Sequence, residues 1–327
     1  MMLRQANADT VNAGSVEQSS GTGKVNRMSR AVRNENILGL AMAIGPVVGF
    51  ILFGLIPIAI SVFLSFTKVH RWDMADMQFN GLKNYWWLLK DPGFYQAILN
   101  TLYYTTNVFI GLILSLVIAV LMSKIVRLNK MFAIIFFIPY ICSIVAVSNM
   151  WKWMFEANYG IINHFLKRIG LQPVRWLQNS KTFMLCIIMM TVWSSIGFNV
   201  ILLQSAIANV DKSYYESAEL DGANGFQQFW KITMPGISPT LFYIIVMGVI
   251  SSLQAFTPMQ VMTDGLSYGP DNSGMTVVYY LYRMSFDFRP SMGIGLASSL
   301  ACMLAVVIGA ITYLNFKLSG KWVRYDD

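Results

Sequence analysis

Charged side chains are scarce in this chain of 327 residues. Only 12% are Asp, Glu, Lys or Arg, against about 25% in a typical soluble domain. Too few charges exist to coat a globule of this size, which excludes an ordinary soluble fold. Cysteine is nearly absent as well. Cys142, Cys186 and Cys302 each sit inside an apolar run and share no metal-ligand spacing. They behave as small hydrophobes, so neither a disulfide frame nor a cysteine metal site is expected. The two histidines, His70 and His164, stand alone outside the apolar runs and offer no ligand cluster. Phosphate-loop chemistry is missing too. "GTGK" at Gly21–Lys24 lacks the leading glycine and the following Ser or Thr, and it precedes any strand. No Ser-His-Asp or Cys-His arrangement has support. The chain is expected to be non-catalytic and to need no cofactor.

Long apolar runs take their place. Hydrophobic residues make up 55% of the chain, and the mean hydropathy is +0.52. A hydrocarbon core about 30 Å thick needs about twenty helical residues. Six stretches qualify: Ile37–Phe66, Ala97–Ser123, Met131–Phe155, Phe183–Ala208, Pro239–Met262 and Met292–Phe316. They are continuous rather than alternating, so helices rather than barrel strands are predicted. The expected fold is all-α, a polytopic membrane protein with six transmembrane helices. None of the six contains Asp or Glu, whereas ion-coupled carriers commonly place an ionisable group in the membrane. Lys152, near the end of the third run, is expected to pair with Glu156 four residues on.

Residues 1–36 are rich in Ser, Asn, Gln and Gly with no apolar period, which predicts a disordered tail. No signal peptide is read there, because no apolar stretch occurs before about Ile37. The membrane domain is placed at 37–318 and a short C-terminal tail at 319–327. Six spans put both termini on one side. Lys24, Arg27, Arg30 and Arg33 precede the first run. Lys124, Arg127 and Lys130 fill the link between the second and third, and Lys317, Lys321 and Arg324 follow the last. The positive-inside rule then predicts cytoplasmic termini, although the total bias is small, with 13 Lys and Arg inside and 11 outside. Outer loops are expected at about 67–96, 156–182 and 263–291. Asn84–Asp91, "NYWWLLKD", is either an interfacial amphipathic helix or a loop helix packed on the bundle.

The loop at 209–238, between the fourth and fifth spans, is polar and capped. Ser213 and Glu216 have capping-box spacing. The helix is predicted to stop at Gly222, a residue that tolerates left-handed geometry. A second amphipathic turn carries Phe226, Phe229, Trp230 and Ile232, and Pro235 and Pro239 fix re-entry into the membrane. By physics alone this elbow is either a well-capped interfacial loop or a docking surface for a cytoplasmic partner.

The same stretch reads Glu216-Ser217-Ala218, three residues, Gly222, nine residues, Ile232-Thr233-Met234-Pro235. It resembles the E-A-A, three, G, nine, I-x-L-P signature of permease subunits in binding-protein-dependent ABC importers. Ser217 and Met234 are the departures. "PIAISVFLSFTKV", "FNGLKNYWWLLKDPGFYQAILNTLYYT", "YGIINHFLKRIGL" and "YGPDNSGMTVVYYLYRMSF" resemble the carbohydrate-uptake branch, of maltose, glycerol-phosphate or multiple-sugar type. The resemblance covers nearly all of the chain after the tail. It implies import of sugars, oligosaccharides, polyols or glycerol phosphate through a bacterial inner, or cytoplasmic, membrane. It also implies three kinds of partner: a second permease subunit, a cytoplasmic ATPase dimer and an extracytoplasmic solute-binding protein. The elbow would be the coupling helix. Glu216, with Ser217 and Ala218, would meet the ATPase, Gly222 would allow the bend, and Ile232 and Pro235 would anchor it. Asp221 is either a helix-end charge or a partner contact.

A substrate path needs polar groups within the spans. Asn107, Asn149, Ser194, Ser195, Asn199, Gln204, Ser251, Ser252 and Gln254 are available, though such groups also serve helix–helix hydrogen bonds. The resemblance points to "WSSIGFN" and "SSLQAF", hence to Trp193, Gly197, Asn199, Ser252, Gln254 and Phe256 as sugar contacts. Pro57, Pro139 and Pro258 kink the spans, either around a cavity or as simple packing kinks. The alternative function is an ATP-independent secondary carrier or channel for small polar solutes. The missing membrane acids and the intact elbow both argue against it.

Overall fold

The computed structural model describes residues 30–69, 77–123, 129–265, 267–286 and 293–324. Residues 1–29 of the predicted tail, with Lys24, Arg27 and the Gly21–Lys24 stretch, lie outside the described residues. So do His70, Lys124, Arg127 and residues 325–327. The chain divides into two units, residues 1–57 and 58–327.

In the first unit, helix α1 (Arg30–Phe50) leads into a π turn at Ile51–Leu55. The helix begins ahead of the predicted start at Ile37, inside the stretch expected to lack structure. Once a helix is nucleated, extending it into polar residues costs little, so the apolar boundary does not mark its first turn. The π turn immediately precedes Pro57. A proline ring crowds the carbonyl four residues back, here Phe53, and a wider turn relieves the clash.

The second unit is built around two long helices. Helix α2 (Ile56–Ser65) ends at a short antiparallel ladder of β1 (Thr67–Lys68) and β2 (Gln78–Phe79). Helix α3 (Lys83–Lys90) packs on the bundle, so the second reading of Asn84–Asp91 is the one formed. Leu88 is buried among Leu296 and Leu300, and the Asn84 amide donates to the carbonyls of Ser65 (2.9 Å) and Thr67 (2.8 Å). Helix α4 (Pro92–Ser123) is unbroken. The next crossing is not: α5 (Asn129–Ile141) and α6 (Ile144–Met154) meet at 94° across Cys142 and Ser143. Pro139 weakens the ladder just before that break. Helix α7 (Ile161–Arg168) is short, and α8 (Ser180–Asn209) is again long and unbroken.

The elbow follows as α9 (Lys212–Leu220), α10 (Gly225–Gln228), a π turn at Phe229–Thr233 and α11 (Met234–Gly236). Helix α12 (Ser238–Leu253) leaves it at 64°. After a break at Gln254–Phe256 come α13 (Thr257–Met262), with Pro258 in its first turn, α14 (Val277–Phe286) and α15 (Ile294–Ser319). Among the described residues four helices, spanning 41–65, 92–123, 180–209 and 294–319, are long and apolar enough to cross a bilayer. The two bent pairs raise the number to as many as six. Each predicted run falls on one of these.

Helix α4 packs along α8, α5 joins α8, and α12 lies against α4. One core joins Leu112, Ala119, Val200, Leu203, Ile237 and Leu241. A second joins Tyr104, Ile187, Met190, Met259 and Tyr279. Lipid supplies no hydrophobic drive between helices, so close approach must come from small residues. Gly248 meets Val108, and Gly197 lies directly against the backbone of Phe136. Lys152 does not pair with Glu156. Its ammonium bonds the carboxylate of Asp264, which links the end of α6 to the residues after α13. Glu156 instead accepts from the Asn158 amide at 2.9 Å and closes a local turn.

A side chain at Gly197 would collide with the Phe136 carbonyl. Gly197→Val should lower the melting temperature of the purified protein, with overpacking of about 1–3 kcal/mol. Gly309→Val, where nothing lies nearby, should leave it nearly unchanged. Equal melting temperatures for the two variants would refute the α5–α8 contact.

Candidate functional site

The elbow is a chain of consecutive caps. Helix α9 begins at Lys212 because Asp211 accepts from the Ser213 amide at 2.9 Å. The predicted Ser213–Glu216 capping box is therefore not formed. Asp211 captures the free amides two residues earlier and leaves Ser213 inside the first turn. At the other end Gly222 takes φ +77°. Its amide bonds the Glu219 carbonyl at 3.0 Å, and the Ala223 amide bonds that of Ala218 at 2.8 Å. Together these form a Schellman motif, which stops the helix at a left-handed residue. The capping box occurs one step later. Asn224 and Gln227 exchange side chain to backbone bonds, both 2.9 Å, and open α10.

The two arms are also tied to each other. The Tyr215 and Thr233 hydroxyls lie 2.9 Å apart, and Thr233 is buried. Ala218, Ile232 and Pro235 are half-buried, while Glu216, Ser217, Asp221 and Gly222 are exposed. Four large apolar side chains, Tyr214, Leu220, Phe226 and Trp230, project from this polar framework, and Leu220 is 90% exposed. Exposed apolar side chains on a polar, capped segment are the kind of surface that a partner or a membrane can cover.

The second feature lies inside the bundle. A cavity of about 320 Å³ is bordered by Tyr104 and Asn107 on α4, Ser195 and Asn199 on α8, and Ser251 and Ser252 on α12. A second, of about 490 Å³, shares Tyr104, Tyr140, Thr191, Ser195 and Ser251 with it, and adds Ser194, Gln254 and Phe256. Both helix breaks open onto this second cavity, which Pro139, Cys142 and Ile144 border from one crossing and Gln254–Pro258 from the other. Unravelled backbone at membrane depth is tolerated where it lines a cavity. The Tyr140 ring stacks on Phe198, with centroids 4.6 Å apart. Ser194 Oγ is buried without a hydrogen-bond partner, so it remains able to bond a guest. Among the described residues no cluster of His, Cys, Asp or Glu could hold a metal.

The family model described as the binding-protein-dependent transport system inner membrane component matches residues 94–320, a range that includes the elbow and both cavities. This chain belongs to that permease family. A probable ABC transporter permease protein, YesP, of Bacillus subtilis is 32% identical over 310 residues, covering 92% of this chain and 96% of that one. The arabinooligosaccharides transport system permease protein AraP of the same organism is 33% identical over 280 residues, covering 84% and 86%. A crystal structure of a bacterial alginate ABC transporter, in complex with an alginate pentasaccharide-bound periplasmic protein, has a chain of the same fold. The TM-score is 0.74 at 22% identity, covering 92% of this chain and all of that one.

The permease fold sorts the sequence-derived candidates. Asn199 and Ser252 border the first cavity, and Gln254 and Phe256 the second. Ser252 already bonds Thr105 at 3.0 Å across the helix pair. Trp193 and Gly197 border neither cavity: Trp193 packs edge-on against Trp151, and Gly197 faces the Phe136 backbone. The sequence reading missed Tyr104, Tyr140 and Thr191. Span aromatics usually pack, and only the break after Pro139 hinted that Tyr140 faces a cavity. It also missed the Asp211 cap, although Asp at a helix start is a standard signal.

The Ser213 amide, and then its hydroxyl, hold the Asp211 carboxyl below the ordinary carboxylate pKa. With the folded pKa depressed, the cap's stabilisation is present above the unfolded value, about 3.9. It is lost as pH falls through the folded value. Hydrogen exchange at the amides of Ser213–Tyr215 should therefore speed up on acidification below about pH 4, after correction for intrinsic rates. In Asp211→Asn, which caps without ionising, that added acid sensitivity should vanish. Its persistence in the variant would exclude Asp211 as the cause.

Proposed function

We propose that this permease forms half of the translocation pathway of an ATP-driven sugar importer and that the elbow around Gly222 couples it to a separate ATPase. The exposed, doubly capped elbow carries this reading. Glu216, Ser217, Ala218, Asp221 and Gly222 supply the face toward the ATPase, and Ile232 and Pro235 supply the attachment to the bundle. Leu220, Phe226 and Trp230 fill the partner's cleft. A rigid elbow fixed to α8 and α12 turns closure of the ATPase into a rocking of those helices. The assembly holds a second permease subunit, two ATPase subunits and an extracytoplasmic solute-binding protein. In this reading six crossings leave both termini and the elbow on one side, and the basic residues flanking the spans favour the cytoplasm for that side.

The cargo is a neutral sugar or oligosaccharide. A sugar ring offers apolar faces and many hydroxyls, and the paired cavities offer aromatic rings beside hydroxyl and amide groups. Tyr140, Tyr104 and Phe256 pack on ring faces. Asn199, Ser194, Ser195 and Gln254 bond hydroxyls. The absence of Asp and Glu from the six apolar runs suits an uncharged guest, and the relative named for arabinooligosaccharides supports the same class.

Gly222→Asp should abolish uptake of radiolabelled oligosaccharide in cells while leaving membrane insertion unchanged. Normal uptake would refute the coupling role. Asn199→Ala should leave coupling intact and weaken sugar-dependent transport about fivefold, the worth of one hydrogen bond of about 1 kcal/mol. Uptake by the purified permease alone, unaffected by ATP and the ATPase, would replace this reading with that of a carrier.

A further inference from the structure

From the end of α6 to the first turn of α8 the chain carries Lys167, Arg168, Arg175 and Lys181, with no Asp or Glu from Ala157 to Thr182. All four are exposed. In the proposed topology this segment lies outside, where the positive-inside bias disfavours such a cluster. The cluster therefore departs from the usual placement of basic residues. Helix α7 supplies a second clue. Ile161, Phe165 and Ile169 follow one another at four-residue steps, Leu171 comes next, and all four are exposed. Such spacing makes a single apolar stripe.

The stripe belongs to a clamped platform. Asn163 is buried, and its side chain makes four hydrogen bonds. It donates to the carbonyls of Ala157 (2.9 Å) and Val174 (2.8 Å), and it accepts from the Val174 amide (3.1 Å) and the Trp176 indole N–H (2.9 Å). The Trp176 carbonyl accepts from the Thr182 hydroxyl in the first turn of α8 at 2.6 Å. Its ring lies 6.0 Å from that of Phe155, the residue after α6. Helix α7 is thus pinned between the end of α6 and the start of α8, which in the proposed topology puts it at the level of the lipid headgroups.

We propose that α7 and the residues following it form an interfacial anchor for anionic phospholipid. The apolar stripe enters the boundary between headgroups and acyl chains, and the four cations reach headgroup phosphates on long flexible stems. An apolar stripe alone would accept any lipid. Four cations with no acidic residue in their own segment select the anionic ones. An acidic face of the solute-binding protein suits the surface less well, because a partner that leaves in each cycle would bare the stripe to water, whereas lipid covers it throughout. The assignment of the leaflet rests on the proposed topology. The lipid preference does not.

The test uses the assembled transporter in nanodiscs of phosphatidylcholine with or without phosphatidylglycerol. Native mass spectrometry should show phosphatidylglycerol retained by the wild type, and K167Q/R168Q/R175Q/K181Q should lower that retention by about tenfold or more. Equal retention would overturn the proposal. So would cross-linking of the binding protein to the Arg168→Cys variant in pure phosphatidylcholine, with no phosphatidylglycerol retained in the mixed discs. In a cysteine-free background, an impermeant maleimide should label position 168 from outside intact cells. Labelling only from inside would overturn the topology while leaving the lipid preference standing.

Discussion

A peptide group in hydrocarbon has no hydrogen-bond partner except the protein itself. That constraint accounts for most of this molecule. It makes α4, α8 and α15 continuous, since every unpaired amide at membrane depth would cost several kcal/mol. It also makes the two interruptions informative. Cys142–Ser143 breaks one candidate span, Gln254–Phe256 separates α12 from α13, and both open onto the same polar cavity. Prolines set the breaks, one just before the first and one just after the second, but a proline in a span can also pack quietly. What separates these two positions from a simple kink is the space beside them and the hydroxyl and amide groups that line it.

The elbow obeys the opposite logic. There water competes for every amide, so a short helix holds together only if its ends are satisfied locally. Asp211, the Schellman turn at Gly222 and the Asn224–Gln227 box supply those ends in sequence, and the Tyr215–Thr233 contact ties the two arms. The outcome is a stiff bracket whose apolar side chains point away from its own bundle. Stiffness and uncovered apolar surface together suit the transmission of force from a partner. A flexible loop would absorb a partner's motion, and a bracket packed on its own bundle would have no face left to offer.

Much of this was legible in the residues. Apolar run length located the crossings, since hydrocarbon thickness admits few alternatives, and glycine at a helix end located the elbow. Details that depend on competition between neighbours were not legible. Asp211 and Ser213 both have cap chemistry, and only the path of the chain leaving α8 decides which is used. Lys152 had a partner four residues away by helical spacing. Yet α6 ends at Met154, so Glu156 leaves the helical face and Asp264 arrives from another crossing. The cavity was half visible. Asn199, Ser252, Gln254 and Phe256 were named, while Tyr104 and Tyr140 were hidden among aromatics that serve packing everywhere else in the spans.

The placement of charge ties these observations together. A carrier driven by an ion gradient must bind that ion inside the membrane, usually on a carboxylate, and bears the desolvation cost of doing so. No Asp or Glu lies in the six apolar runs, and acidic residues gather instead at the elbow, at Asp211, Glu216, Glu219 and Asp221. On the proposed coupling, energy enters through the elbow and needs no charge in the bilayer, and a cavity freed of charge suits the uncharged guest proposed for it. All Lys and Arg side chains but Lys152 lie outside the six apolar runs, which on the proposal for α7 leaves them able to act on lipid without entering the pathway.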